Sequence, residues 1–376
     1  MNKFEILKTS ALGRCGIIST TNGTIHTPEL IFCATKGSIK GLPIYSVNAQ
    51  AILCNTYHLL VHPGIDAINH LGGAHKLTGW NKPIMTDSGG FQIFCFGHGS
   101  VANELKRTNI IHRNMVKTSK IGAVFKSYRN GQSILLTPEL SINMQHALKS
   151  NILINFDYCT SYHLTKAETA EALELTNHWQ QRGLNQFLSL NSPNGLYYVV
   201  QGGIYPDLRI ASLQNFKDDY AGYAIGGSLG KSADDLKLIL KTFYQNRNSD
   251  KPVHLLGMGG YFSEVLIAIS YGVDTFDCVH PTRVARHGLA LSTKGPVNLR
   301  NSTKDLGPID INCSCPTCAT YSRMALHILF RAGENAAMQA ITVHNIFTMQ
   351  DFMKDVRAGI MNDSFSALYA KWLTNL

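Results

Sequence analysis

Charge is scarce in this chain. Asp, Glu, Lys and Arg make up 16% of its 376 residues, against about a quarter in an ordinary soluble domain. Hydrophobic residues reach 44%, so the chain can bury a core and is not a disordered polyelectrolyte. No apolar run approaches the roughly 20 residues that a membrane helix needs. The stretch Met1 to Arg14 lacks the basic-then-apolar order of a secretory signal, so the expected location is the cytoplasm. A disulfide framework is also missing. The nine cysteines are odd in number, which fits reduced thiols. Low-complexity tracts and internal sequence repeats are absent.

Acids are the scarcer sign, 25 against 34 bases, for a net charge of +9. The excess is clustered. Residues 101–130 hold Lys106, Arg107, Arg113, Lys117, Lys120, Lys126 and Arg129 against the single acid Glu104. Residues 281–304 hold Arg283, Arg286, Lys294, Arg300 and Lys304 against none. Such clusters suit a polyanion such as nucleic acid, and an ordinary solvated basic face has the same composition.

What is present is a rhythm. Short apolar runs recur at Glu29–Cys33, Ala51–Cys54, Pro83–Met85, Ile152–Phe156, Tyr197–Val200, Gly222–Ile225, Val253–Leu256 and Val273–Val279. Each is apolar on both alternations, as a strand covered on both faces must be. Amphipathic stretches such as Lys166–Gln181, Ala233–Tyr244 and Ser263–Tyr271 lie between them. Eight strand–helix units close into a (β/α)8 barrel, the expected α/β fold; a doubly wound open sheet is the alternative. Between Asp87 and Asn151 the spacing is too long for one crossover. It accommodates a hairpin, Val124 to Leu136, turning at Arg129-Asn130-Gly131, and then a helix capped by Thr137 with Pro138 at its first position. The expected division is a barrel over 1–305 with an inserted segment about 95–137, a zinc-binding subdomain over 306–350, and a helical segment over 351–376 packed on the barrel.

Most runs end in a polar residue: Lys36, Asn55, Asp87, Asp157, Gln201, Gly226-Gly227 and Asp277. A barrel gathers its strand C-termini on one face, where the chemistry is done. Asp277 lies in Thr275–Arg283, beside Arg283 and Arg286, and fixed positive charge there would keep it ionised and nucleophilic. Asp87, in Thr86-Asp87-Ser88-Gly89-Gly90-Phe91-Gln92, is the natural second carboxylate. Displacement at an anomeric carbon needs such a nucleophile and an acid/base. Phe91 suits stacking on a flat heterocycle, Asp157 and Gln201 suit the polar edge of a purine-like base, and Gly226-Gly227 offers bare backbone amides. Cys313-x-Cys315-x2-Cys318 with His344 makes a four-ligand structural zinc set, with His327 the competing fourth ligand.

These residues add up to a resemblance. The blocks Asn55–Leu59, Thr86–Gln92, Phe156–Thr160, Val200–Gly203, Tyr223–Gly227, Phe276–Arg286 and the Cys/Cys/Cys/His set resemble bacterial-type tRNA-guanine transglycosylase and span nearly the whole chain. The resemblance implies a zinc-containing TIM barrel, usually a homodimer. It would exchange the wobble guanine of GUN-anticodon tRNAs for a free 7-deazaguanine base, 7-aminomethyl-7-deazaguanine or queuine. It implies Asp277 as nucleophile and Asp87 as acid/base. It puts Phe91, Asp157, Cys159, Gln201, Gly226, Gly227 and Asn55 around the base, and Arg283 and Arg286 on the anticodon loop. The chain departs from the family pattern after the glycine pair, reading Ser228-Leu229-Gly230-Lys231-Ser232. The family's Glu is absent, and Gly230 replaces a valine, which implies a roomier pocket and queuine as substrate. His280 is a further departure, beside the nucleophile. Two rivals remain open, a non-catalytic tRNA-binding subunit of the same family and a glycoside or nucleoside hydrolase on the same barrel.

Overall fold

The computed structural model describes residues 2–10, 13–92, 116–127 and 129–374, with the backbone alone for 371–374. Lys106, Arg107 and Arg113, and much of the expected insertion, lie outside the described residues. Eight parallel strands close into a barrel: β4 (Glu29–Cys33), β5 (Ile52–Cys54), β6 (Ile84–Thr86), β10 (Ile152–Ile154), β11 (Gly195–Val200), β12 (Gly222–Ile225), β13 (Val253–Leu255) and β14 (Thr275–Cys278). The chain's last barrel strand pairs with its first, Thr275 opposite Glu29 and Asp277 opposite Ile31, which closes the ring. The barrel is the expected (β/α)8 fold.

Alternation along each strand explains why both faces read apolar. Leu30, Phe32, Ile52, Leu153, Tyr198, Val200 and Phe276 pack outward under the helices. Ile31, Leu53, Met85, Ile154, Tyr197, Val199 and Ala224 fill the barrel itself. Two further residues of that inner cluster, Ile18 and Ile25, come from β2 (Arg14–Thr20) and β3 (Gly23–Thr27). With β1 (Lys3–Thr9) these form an antiparallel sheet that plugs the N-terminal end of the barrel. Buried Arg14 fixes that sheet by donating to Asp274 at 2.6 and 2.9 Å.

The hairpin after β6 forms as expected. Strands β7 (Val116–Thr118), β8 (Ala123–Lys126) and β9 (Ser133–Leu136) make a separate antiparallel sheet. It docks through Phe125 and Leu136 onto Tyr57, Phe156 and Trp179. The Trp179 indole donates to the Ser119 carbonyl at 3.1 Å. Thr137 then caps the helix Pro138–Ala147, accepting from the Leu140 amide at 3.1 Å.

After a two-stranded ribbon, β15 (Leu289–Ala290) with β16 (Val297–Asn298), the chain forms helices Pro316–Thr320, Arg323–Arg331 and Asn335–Met361. A small core of Ala285, Ala290, Leu299, Ile309, Leu326 and Ile341 lies beneath them. The long helix runs unbroken from this annex onto the barrel. There Arg357 and Gln350 hold buried Glu29 of β4 at 3.0 and 2.7 Å. Among the described residues no helix is long and apolar enough to cross a membrane.

Candidate active site

The inward register carries over past the strand ends. Residues two beyond an inward apolar residue also face the lumen, so Leu53 leads to Asn55, Met85 to Asp87 and Val199 to Gln201, while Ile31 leads to Cys33 and Thr275 to Asp277. A two-residue period therefore delivers polar groups from five strands to one mouth.

Asp277 is 14% exposed. Its Oδ1 accepts from the Gly257 amide at 2.8 Å and faces His254 Nε2 at 3.2 Å. Its Oδ2 lies 3.6 Å from the Cys33 thiol. His254, fully buried on β13, is fixed through Nδ1 by Thr275 Oγ1 at 2.9 Å. These contacts correct one expectation. Among the described residues neither Arg283 nor Arg286 pairs with Asp277: Arg283 is exposed, and Arg286 donates to the Thr282 carbonyl at 2.9 Å. Both arginines sit on the helix His280–Arg286, just past the strand end. The polar residue of the seventh run, His254, lies within the strand, where a pattern of polar strand ends does not reach it.

Asp87 lies across the mouth. Its Oδ1 accepts from the Thr56 amide at 2.9 Å, and its Oδ2 accepts from Asn55 Nδ2. Burial pushes its carboxyl up to about 7; the Thr56 amide pulls it back, and the like charge of Asp277 pushes it further up. That like-charge effect places Asp87 within the field of the Asp277 carboxylate. Asn55 also caps the following helix, its Oδ1 accepting from the His58 amide at 2.9 Å. Both ends of the Asn55 amide are therefore engaged in holding Asp87 and the cap.

A third carboxylate forms the adjoining wall. Asp157 is buried, accepts from Gln201 Nε2 at 2.6 Å and from Ser88 Oγ at 3.3 Å, and burial pushes it up to about 6. The other end of the Gln201 amide, Oε1, is buried with no hydrogen-bond partner. It lies so near Gly227 that a Cβ there would come within 2.2 Å, and Gly227 has φ +76°. Only glycine fits. Phe91 is exposed beside this wall, and Cys159 is half-buried in the loop after Asp157.

Gly230 corrects a second expectation. Its φ is +85°, and the space a Cβ would take is filled by Asp235, whose own Cβ would be 2.1 Å away. Asp235 is held there as part of a capping box with Ser232 and accepts from the Lys231 amide at 2.8 Å. Gly230 is a turn residue against a helix cap, so its missing side chain does not enlarge a pocket. His280 lies against the Tyr261 ring, centroids 5.1 Å apart.

Away from the mouth, the Sγ atoms of Cys313, Cys315 and Cys318 lie 3.7, 3.4 and 3.4 Å from His344 Nδ1. Tetrahedral bonds of about 2.3 Å to sulfur and 2.0 Å to nitrogen separate S and N by about 3.5 Å. The set therefore fits a tetrahedral metal ion. The Leu291 carbonyl, 2.7 Å away, accepts a hydrogen bond from Nε2–H, which keeps the proton on that nitrogen and leaves Nδ1 free to ligate. His327 is elsewhere, against the Leu299 carbonyl at 2.9 Å.

A closed (β/α)8 barrel with opposed carboxylates at its C-terminal mouth is an enzyme architecture. The model of the queuine tRNA-ribosyltransferase family matches residues 9–376. A protein of Chlamydia abortus named queuine tRNA-ribosyltransferase is 40% identical over 369 residues, covering 96% of this chain and 99% of that one. One of Protochlamydia amoebophila with the same name is 38% identical over 371 residues, covering 96% of each chain. The chain belongs to the queuine tRNA-ribosyltransferase family, an enzyme of the pentosyltransferase class.

Proposed function

We propose that this enzyme exchanges a guanine of tRNA, the wobble guanine of GUN anticodons, for a free 7-deazaguanine base by double displacement. The carrying observation is the unlike pair Asp277 and Asp87. Asp277 takes an amide and an imidazole on one oxygen, which aims the other at the sugar. Its attack on the ribose C1′ forms a covalent ester and breaks the bond to guanine. Asp87, with a carboxyl pushed up to about 7, holds the proton that guanine needs to leave. The resulting carboxylate then takes a proton from the incoming base, whose nitrogen displaces Asp277. Two displacements retain configuration, and the phosphodiester chain stays intact.

The unpaired Gln201 Oε1 supports a base with N–H donors, with Asp157 on its neighbouring atoms, Phe91 on its face, Gly226 and Gly227 at its edge and Cys159 alongside. Asn55 holds Asp87 for the proton transfer. Arg283 and Arg286 would take the phosphates of the anticodon loop, which flexes cheaply enough to present its base. In this reading the barrel, 1–305, carries the chemistry. The annex, 306–350, holds a structural Zn2+ through Cys313, Cys315, Cys318 and His344, and the enzyme works as a homodimer in the cytoplasm. Zinc supplies a cross-link there and no chemistry at the ribose.

Incubation with labelled guanine and tRNA is the test. Incorporation is expected, and an abasic tRNA without incorporation would point to a hydrolase. Asp277→Ala should abolish the covalent enzyme–tRNA band on denaturing gels while binding tRNA nearly as well as the parent. A band that survives the substitution removes Asp277 as the nucleophile.

A further inference from the structure

Arg209 is a fully buried guanidinium on the helix Pro206–Leu213. No ion pair among the described residues includes it. Its fork goes instead to three backbone carbonyls. Nη1 donates to Val200 at 2.9 Å, Nε to Gly203 at 2.9 Å and Nη2 to Ser228 at 3.1 Å. An unpaired buried charge is costly, and burial draws this one down to about 10. Its three acceptors share a pattern. Val200 and Gly203 bracket Gln201, and Ser228 follows Gly227.

The same helix holds that segment a second time, Ser212 Oγ accepting from the Gln201 amide at 3.2 Å. The Val200 carbonyl that Arg209 holds also accepts from the Gly226 amide at 3.1 Å, so the two loops meet at one oxygen. Val200 ends β11 and pairs with Ile225 of β12, and beyond that pair neither Gln201–Gly203 nor Gly226–Ser228 belongs to a strand or helix. A neutral donor would reach one carbonyl; the planar fork reaches three in different directions.

We propose that Arg209 is a positioning residue of the base pocket, whose fork holds the loops of Gln201 and Gly227 against one another as one wall for a planar purine-like base before the base arrives. This rests on the function proposed above. Arg209 touches neither base nor sugar. It acts through the Gln201 side chain and the Gly227 backbone.

Two variants of the full chain, Arg209→Lys and Arg209→Met, separate this role from plain stability. In folded protein the KM for guanine should rise by about tenfold or more, since small misplacements of positioned groups are costly. The parent tRNA affinity should be kept, and lysine should recover part of the loss. An unchanged guanine KM in a folded variant, or a loss shared equally with tRNA binding, overturns the proposal. Hydrogen exchange on the unaltered enzyme gives an independent reading. The amides of Gln201 and Gly226, bonded to Ser212 Oγ and to the Val200 carbonyl, should be protected without any base, and rapid exchange there would overturn it even if both variants failed to fold. Failure of the parent enzyme to incorporate guanine at all would refute the proposed reaction instead, which the exchange measurement does not address.

Discussion

A side chain that must give up a proton and take it back needs a pKa close to the working pH. Asp87, at about 7, meets that need through burial and the nearby charge of Asp277. Two consequences follow at this scale. In the proposed mechanism the first displacement uses protonated Asp87, so kcat/KM for tRNA should fall as pH rises through about 7, measured by initial rates across pH 5.5–9. In Asp277→Asn the like charge is gone, and 13C NMR of the Asp87 carboxyl should report a lower pKa than in the parent. An unmoved value would mean that the two groups do not sense one another. The sign for stability runs the same way. A carboxyl raised above its unfolded value contributes stability that is complete below about pH 4 and is lost as pH passes through about 7. Asp87→Asn should therefore melt above the parent at pH 8, by on the order of 1–3 kcal/mol, with the advantage shrinking toward pH 5.

At the scale of strands and helices, the informative element is β13. It carries no strand-end acid, yet His254 and the Gly257 amide after it hold the Asp277 carboxylate. His254→Ala should lower kcat by about tenfold or more with little change in guanine KM, since it loosens the attacking oxygen and not the base. Equal losses in both parameters would count against this assignment. The eight strands were legible because each is a short apolar run. Asn55, Asp87 and Gln201 were legible because they follow those runs, and Asp277 because it is the carboxylate near the end of the last one. His254 was not, because its link to Asp277 depends on which residues of β13 and β14 lie side by side, His254 opposite Thr275, and no single run states its register. Gly230 misled for a related reason. The space beside it belongs to Asp235, five residues later, although Ser232-x-x-Asp235 was a readable capping pattern. The sheet that plugs the barrel also left a sign, the Asn22-Gly23 pair where the chain turns from β2 into β3.

At the scale of the whole molecule, the parts that make the annex and the parts that close the barrel share one helix. His344 and Arg357 both lie on Asn335–Met361, thirteen residues and roughly 20 Å apart at 1.5 Å per residue. One grips the cysteine cluster, the other the buried Glu29 on the strand that shuts the ring. Asn345, next to His344, donates to the carbonyls of Pro281 and Leu289 at 2.9 and 3.1 Å, just past the helix start that follows Asp277. With the proposed zinc in place, a strong chelator should therefore shift a single calorimetric transition downward, and exchange activity should fade together with that shift. Two separated transitions would show an ornament hung on an independent body. Joined this way, a metal-closed cysteine cluster would act as the buckle of a belt: fastened well away from the barrel mouth, its release would slacken the hoop that keeps the two acids facing each other.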